Sequence, residues 1–337
     1  MRTRTRRIAY VFAVFAGLAA APAGATYSII ACDHQGDCGA AVATHNLAVG
    51  ASVIYAQAKV GALATQFETN PHYGPKALAL LAKGTSPGKT INALLAQDGN
   101  FDGSGIDERQ LIVIDADGNG AVYTGTKAAA GVWGAHTSQG AGPGDSCSVA
   151  GNGLASEAVL NAMVETFRGA DRKRPLGDRL MASLRAGERA GGQRNGRMSA
   201  ALRVSTVAGD WQDIDLRVDG SADPVGDLSR LTDQFYAHQA MLRAERAARD
   251  NDVEAARAAR SQALGLSHQW DRIWRRAARL AMQLGESDKA LEYLGVFASI
   301  NPVWAEGEIE DALYAPLQAQ PAFARLRADI ASKVPGG

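Results

Sequence analysis

Thr26 is the residue with the most direct route to chemistry, because a cut after Ala25 would put a hydroxyl and a free α-amine on one residue. A threonine hydroxyl is a weak nucleophile at its ordinary pKa and needs a base. A free α-amine titrates at about 8, so near neutrality it can take up that proton. The N-terminal threonine is a variant of the serine–histidine–aspartate logic. Position alone does not separate this from a mature chain that happens to start with threonine.

Other patterns lead away from metals and cofactors. Asp115-x-Asp117-x-Asn119-Gly120 opens like a calcium loop, but position twelve is Thr126, where a bidentate glutamate is needed. Asp98-x-Asn100-x-Asp102-Gly103 puts Arg109 at that position. Gly144-Asp145-Ser146 echoes a lipolytic motif, yet it lies mid-chain and no Asp-x-x-His follows near the C terminus. Cys147 could be a thiol nucleophile, but an exported free thiol is usually oxidised or buried. The six histidines show no metal-ligand spacing, and no phosphate-cradling glycine motif occurs. No metal and no cofactor are therefore expected.

The start of the chain supplies the cut. Arg2, Arg4, Arg6 and Arg7 precede a 14-residue apolar stretch, Ile8 to Ala21, which ends in Pro22-Ala23-Gly24-Ala25. A basic segment, a short apolar core and an A-x-A ending predict a secretory signal peptide over 1–25. The stretch is shorter than the roughly 20 residues that span a bilayer. The mature protein is expected to be periplasmic or secreted. Removing residues 1–25 takes four arginines and no acid, leaving 31 basic and 35 acidic residues, a balance of −4. That argues against a basic surface built for nucleic acid, and no nucleic-acid partner is expected. In an oxidising compartment Cys32 and Cys38 could bridge the ends of a hairpin loop, and could equally be two unpaired small residues in a strand pair.

Two textures follow. Residues 26 to about 231 are rich in Gly, Ala and Val, with hairpin patterns at 26–31/39–44 and 110–114/121–125, and strands at 52–58, 61–66, 199–206 and 213–218. Helical spacing appears at 73–84, 86–97, 156–168 and 176–190. Strand pairs, then helices, then strand pairs predict an α+β layered sandwich. From 232 to 337 the texture becomes Ala, Arg, Leu and Glu at helical spacing. Trp274, Ala277, Ala278, Ala281, Ala290, Leu294 and Pro302 fall at tetratricopeptide offsets, so this all-α tail is expected to be repeat-like. Such repeats usually need about three copies to stand alone, so the tail must pack on the first domain, dimerise into a homo-oligomer, or be a plain helical extension.

Thr26-Tyr27-Ser28-Ile29-Ile30-Ala31-x-Asp33, Gly39-x-Ala41-Val42-Ala43-Thr44, Gly61-Ala62-x-Ala64-Thr65-Gln66 and Asn70-Pro71-x-Tyr73-Gly74-Pro75 resemble the domain of unknown function 1028 family. The resemblance continues through Gly151-Asn152-x-Leu154, Gly191-Gly192-x-Arg194-x-Gly196-Arg197-x-Ser199 and Asp215-Leu216-Arg217-Val218-Asp219. It covers about 26–235 and implies a four-layer αββα sandwich of the N-terminal nucleophile (Ntn) hydrolase type, with Thr26 between the two sheets. It further implies candidate substrate-binding residues at neighbouring strand ends. Thr44 and His45 would steady the amine or bind substrate; the family often has a serine and a basic residue there. Gln66 and Asn70 frame a strand-to-helix junction that could hold an oxyanion. Asn152, between two glycines, permits close backbone approach, and Arg197 and Ser199 could bind a substrate carboxylate. Each also reads as a turn former or structural hydrogen-bonding residue.

The expected activity is hydrolysis of an amide bond in a small molecule or short peptide. The alternative is an inactive ligand-binding domain, or an envelope scaffold whose tail docks a protein or peptidoglycan partner. The resemblance supports the latter by association only, since some related proteins carry a tail labelled as binding peptidoglycan.

Overall fold

The computed structural model describes residues 25–129, 132–138, 144, 146–209 and 212–334. The expected signal sequence up to residue 24 and Asp145 lie outside the described residues. The strand β1 (Thr26–Cys32) is buried along its whole length. Alternation assigns its two faces to different cores: Tyr27, Ile29 and Ala31 face one way, and Ile30 and Cys32 the other. β1 is flanked by β2 (Cys38–Thr44) and β8 (Cys147–Asn152) in a six-stranded sheet completed by β7 (Val132–Ser138), β9 (Ser199–Ser205) and β10 (Ile214–Val218). The order is β10-β9-β2-β1-β8-β7, with every pair antiparallel.

A second sheet has the order β3 (Ile54–Gln57), β4 (Gly61–Phe67), β5 (Arg109–Asp115) and β6 (Gly120–Thr124). Three apolar cores stack in sequence and define four layers. α1 (Tyr73–Leu81) and α2 (Pro87–Ala96) bury Tyr73, Ala77, Ile91 and Leu94 against Leu63, Leu111 and Val113 of the small sheet. Ile112, Ile114, Ala62 and Ala64 on its other face meet Ile30, Ala40 and Val42 of the large sheet. α4 (Ala158–Gly169) and α5 (Leu176–Arg189) then cover the outer face of the large sheet with Leu160, Met163, Phe167, Leu180 and Leu184. The arrangement is αββα, and the expected α+β layered sandwich is present. A short α3 (Thr126–Ala129) follows β6.

Cys32 and Cys38 are the last facing pair of the β1–β2 hairpin and are disulfide-bonded, with Cα atoms 4.0 Å apart. The Asp115 turn is a hairpin turn: the carboxylate accepts the Asp117 and Asn119 N–H groups at 3.0 and 2.8 Å.

α6 (Pro224–Arg249) begins the helical region and is continued by α7 (Val253–Gly265), α8 (Asp271–Gln283), α9 (Ser287–Ile300), α10 (Pro302–Glu308) and α11 (Pro321–Lys333). Proline opens α2, α6, α10 and α11, where its missing N–H costs nothing. Five of the seven residues at repeat offsets, Ala277, Ala278 and Ala281 of α8 and Ala290 and Leu294 of α9, are buried in one helical core, with Trp274 partly buried against it. α6 belongs to both regions. Val225 and Leu228 pack into the sandwich core, whereas Ala237, Ala240, Met241 and Ala244 pack into the helical core. The expected boundary at 231/232 thus falls inside one continuous helix. Among the described residues no helix is long and apolar enough to cross a membrane.

Candidate functional site

Thr26 opens β1, and the pairing register sets its neighbours. Thr44 of β2 is opposite on one side, Asn152 of β8 on the other, and Ser199 of β9 lies beyond Thr44. Their positions in the pleat put all four side chains on the face toward the small sheet, in one row across four strands. Thr26 and Thr44 hydroxyl oxygens are 3.2 Å apart. The Thr26 backbone N–H donates to Asn152 Oδ1 at 2.9 Å. The Thr44 hydroxyl also donates to the Ala25 carbonyl at 2.5 Å, so a carbonyl oxygen beside Thr26 already has a donor there. Ala25 itself is buried, and Gly153 with φ +58° lies against it, where an added Cβ would come within 2.7 Å of the Ala25 Cβ.

Behind the row runs a buried chain of amides joining the sheets. Asn152 Nδ2 donates to Gln110 Oε1 at 3.0 Å, and Gln66 Nε2 donates to the same oxygen at 2.8 Å. Ser28 Oγ donates to Gln66 Oε1 at 2.7 Å, and Gln110 Nε2 reaches the Gly151 carbonyl at 3.2 Å. Ser28, Gln66, Gln110 and Asn152 are all fully buried. A polar network in such surroundings is stable only when its members are satisfied. Here the satisfied orientation aims the Asn152 oxygen, not its NH2, at the Thr26 nitrogen. Asn152 is therefore placed to accept from an amine and not to donate to an oxyanion.

The other candidates are dispersed. Ser199 is buried in the row, where its hydroxyl donates to the Asn46 carbonyl and accepts the Val49 N–H at 3.1 Å. His45 stands beside Thr44 with its Nδ1 buried and without a partner among the described residues. Gly196, with φ +107°, leaves space for that ring. Gln66 has its amide oxygen and nitrogen engaged within the network.

Asn70 joins a different cluster. Its NH2 donates to Asp98 Oδ1 at 3.2 Å and its oxygen accepts the His72 N–H at 3.1 Å. There Arg109 Nε and Nη2 hold the Asp98 carboxylate at 3.0 and 3.2 Å, and the Tyr73 hydroxyl donates to it. Burial works to raise the Asp98 pKa, but the Arg109, Tyr73 and Asn70 hydrogen bonds prevail and hold it below its ordinary value. Arg197 is half exposed and pairs with Glu188 at 2.6 Å; Glu188 in turn accepts the Tyr27 hydroxyl at 2.5 Å. Arg197 thus anchors the helix-facing side of β1, away from the gap between the sheets.

Ser28 and Gln110 belong to the network and were not singled out from sequence. Both were within reach of the period-two pattern. Ser28 shares a face with Thr26, and Gln110 is in step with Ile112 and Ile114 and directly opposite Gln66. Cys147 is buried among helix-facing residues, and burial pushes its thiol up to about 12, which removes the thiolate a nucleophile needs. Among the described residues no group of three or more His, Cys, Asp or Glu is placed to hold a metal.

The family model described as "Family of unknown function (DUF1028)" matches residues 26–228. The chain belongs to the DUF1028 family. The match begins at Thr26 and ends within α6, so it spans the sandwich and leaves out most of the helical region. Among solved structures, the chain is similar to protein SPO2555 from Silicibacter pomeroyi, family-model DUF1028. The TM-score is 0.52 and the identity 32%, over 62% of this chain and 88% of that one. No curated protein matches.

Proposed function

We propose that this DUF1028 chain is an exported amidohydrolase of the Ntn type, with Thr26 as its N-terminal nucleophile once residues 1–25 are removed. The observation that carries the reading is the junction of Thr26 with Thr44 and Asn152 at the head of a buried central strand. Asn152 Oδ1 would orient the freed amine. The amine's lone pair takes the hydroxyl proton as Thr26 Oγ attacks the substrate carbonyl carbon. The tetrahedral oxyanion then lies where the Thr44 hydroxyl can donate, the donor now given to the Ala25 carbonyl. The leaving amine takes the proton from the ammonium, an ester to Thr26 Oγ remains, and water releases the acid.

The test uses the full chain recovered from the exported fraction. Its intact mass should match Thr26–Gly337, and it should hydrolyse members of a panel of N-acyl amides and short peptides. Thr26→Ser should retain measurable turnover and Thr26→Ala should lose it to background. A chain starting before Thr26, or a Thr26→Ala variant as active as the parent, overturns the mechanism.

A further inference from the structure

A cavity of about 420 Å³ opens where the sandwich meets the helical region, within the usual size of small-molecule sites. One wall is the Asp33–Asp37 turn and the first turns of α5; the other is α6, with Phe235 and Tyr236. The cavity lies at the Cys32 end of β1, whereas Thr26 begins its other end, seven residues or about 20 Å away. A ligand held here does not reach the threonine row.

Some charge in these walls is already used by the protein. Asp33 caps its own turn, Asp37 accepts the Val207 N–H at 2.7 Å, and Asp233 lies 2.7 Å from His268. Three other groups are under-used. Arg185 donates one Nη1 bond to Ser229 at 3.0 Å, but its buried Nε has no partner among the described residues. Arg243 donates to the neutral amide of Gln262 at 3.0 Å. Asp178 has Arg174 only at 3.5 Å, and burial raises its pKa, so an incoming cation would find a carboxylate short of compensation.

Spacing narrows the ligand. Asp178 and Arg185 are seven residues apart on α5 and so share a face, about 10 Å apart along the axis. Helical side chains lean toward the N terminus, which brings the guanidinium back toward the carboxylate. The rise of about 10 Å between the two positions, shortened by the longer arginine side chain, is on the scale of an extended dipeptide of about 7 Å. We propose that this cavity binds a short zwitterionic peptide, its carboxylate held by Arg185 and Arg243 and its ammonium group by Asp178. Because the lining runs from Asp178 and Arg185 of the sandwich to Arg243 of α6 and Gln262 of α7, the bound peptide ties the helices to the sandwich. The inference is independent of the amidohydrolase reading.

Calorimetry on the full mature chain carrying Thr26→Ala, so that no ligand is consumed, tests it with alanylalanine as probe. Alanine, N-acetyl-alanylalanine and alanylalanine amide serve as comparisons. Alanylalanine should bind at least tenfold more tightly than each of the three, and Arg185→Met and Asp178→Asn should each weaken it at least tenfold. The ligand comparison needs no cavity variant, so it decides even if a variant misfolds. No binding of alanylalanine at millimolar concentration, or equal binding of the acetylated and amidated forms, overturns the proposal. So does undiminished binding to a folded Arg185→Met chain.

Discussion

Asn152 illustrates how one side chain can act through another. Its Oδ1 accepts from the Thr26 nitrogen while its Nδ2 is fixed by Gln110, and Gln110 is fixed by Gln66. An acceptor beside an amine favours the charged form and raises its pKa. Asn152→Ala should therefore shift the amine-dependent limb of the pH–rate profile to lower pH. It should also lower kcat on the order of 10²-fold through lost positioning. Gln110→Leu should do the same more weakly, since Asn152 then keeps its place but loses its anchor. A profile unmoved by both variants would reduce the network to a structural one. Thr44 and Ser199 follow from the same row. Only Thr44 touches the Thr26 hydroxyl, so it alone of the two should matter for turnover.

At the scale of elements, the Asp98–Arg109 pair ties the segment after α2 to the first residue of β5, with Tyr73 and Asn70 joining from the start of α1. Arg109 also holds the carbonyls of Glu68, Phe101 and Ser104, so it organises the entire loop that closes this end of the small sheet. Arg109→Met leaves a buried carboxylate without its cation and should cost about 3–5 kcal/mol, read as a lowered denaturation midpoint. The pH dependence has a definite sign. The folded-state pKa of Asp98 lies below the unfolded one, so its contribution is present above the unfolded pKa and is lost as pH falls through the folded one. The stability gap between the parent and Asp98→Asn should accordingly be full at pH 7 and shrink below about pH 4. A gap constant down to strongly acid pH would contradict the assignment.

At the scale of the molecule, α6 makes two regions into one folding unit. Its first turns complete the sandwich core and its later turns the helical core, and no turn separates them. The full chain should unfold in a single calorimetric transition, with calorimetric and van't Hoff enthalpies in agreement. Two resolved transitions would show that the helix does not transmit stability. A chain ending at residue 231 should have a lower thermal midpoint than the sandwich has in the full protein, since it keeps Val225 and Leu228 on a helix cut short.

Much of this was legible in the residues. β-type runs and turn chemistry marked β1–β6, β9 and β10 within a few residues, and 3.6-residue spacing marked α1, α2, α4 and α5, because these patterns are local to each element. β7 and β8 were not legible. β8 places Ser148 and Asn152 toward the other sheet and has Gly151 on the opposite face, so its pattern is polar where a strand core is expected to be apolar. Gln110 of β5, 41 and 42 residues away in sequence, bonds the Gly151 carbonyl and Asn152 and supplies what these residues lack. The sequence determined which residue types could do chemistry and that Thr26 heads a strand; the burial of that strand came from the structure. Only tertiary structure decided which of them meet. Asn70 and Gln66, four residues apart, separate into two unrelated networks, while Thr26 and Asn152, 126 residues apart, join in one. Spacing along a chain constrains neighbours within an element, but contacts between strands depend on sheet order and register, which no single segment encodes.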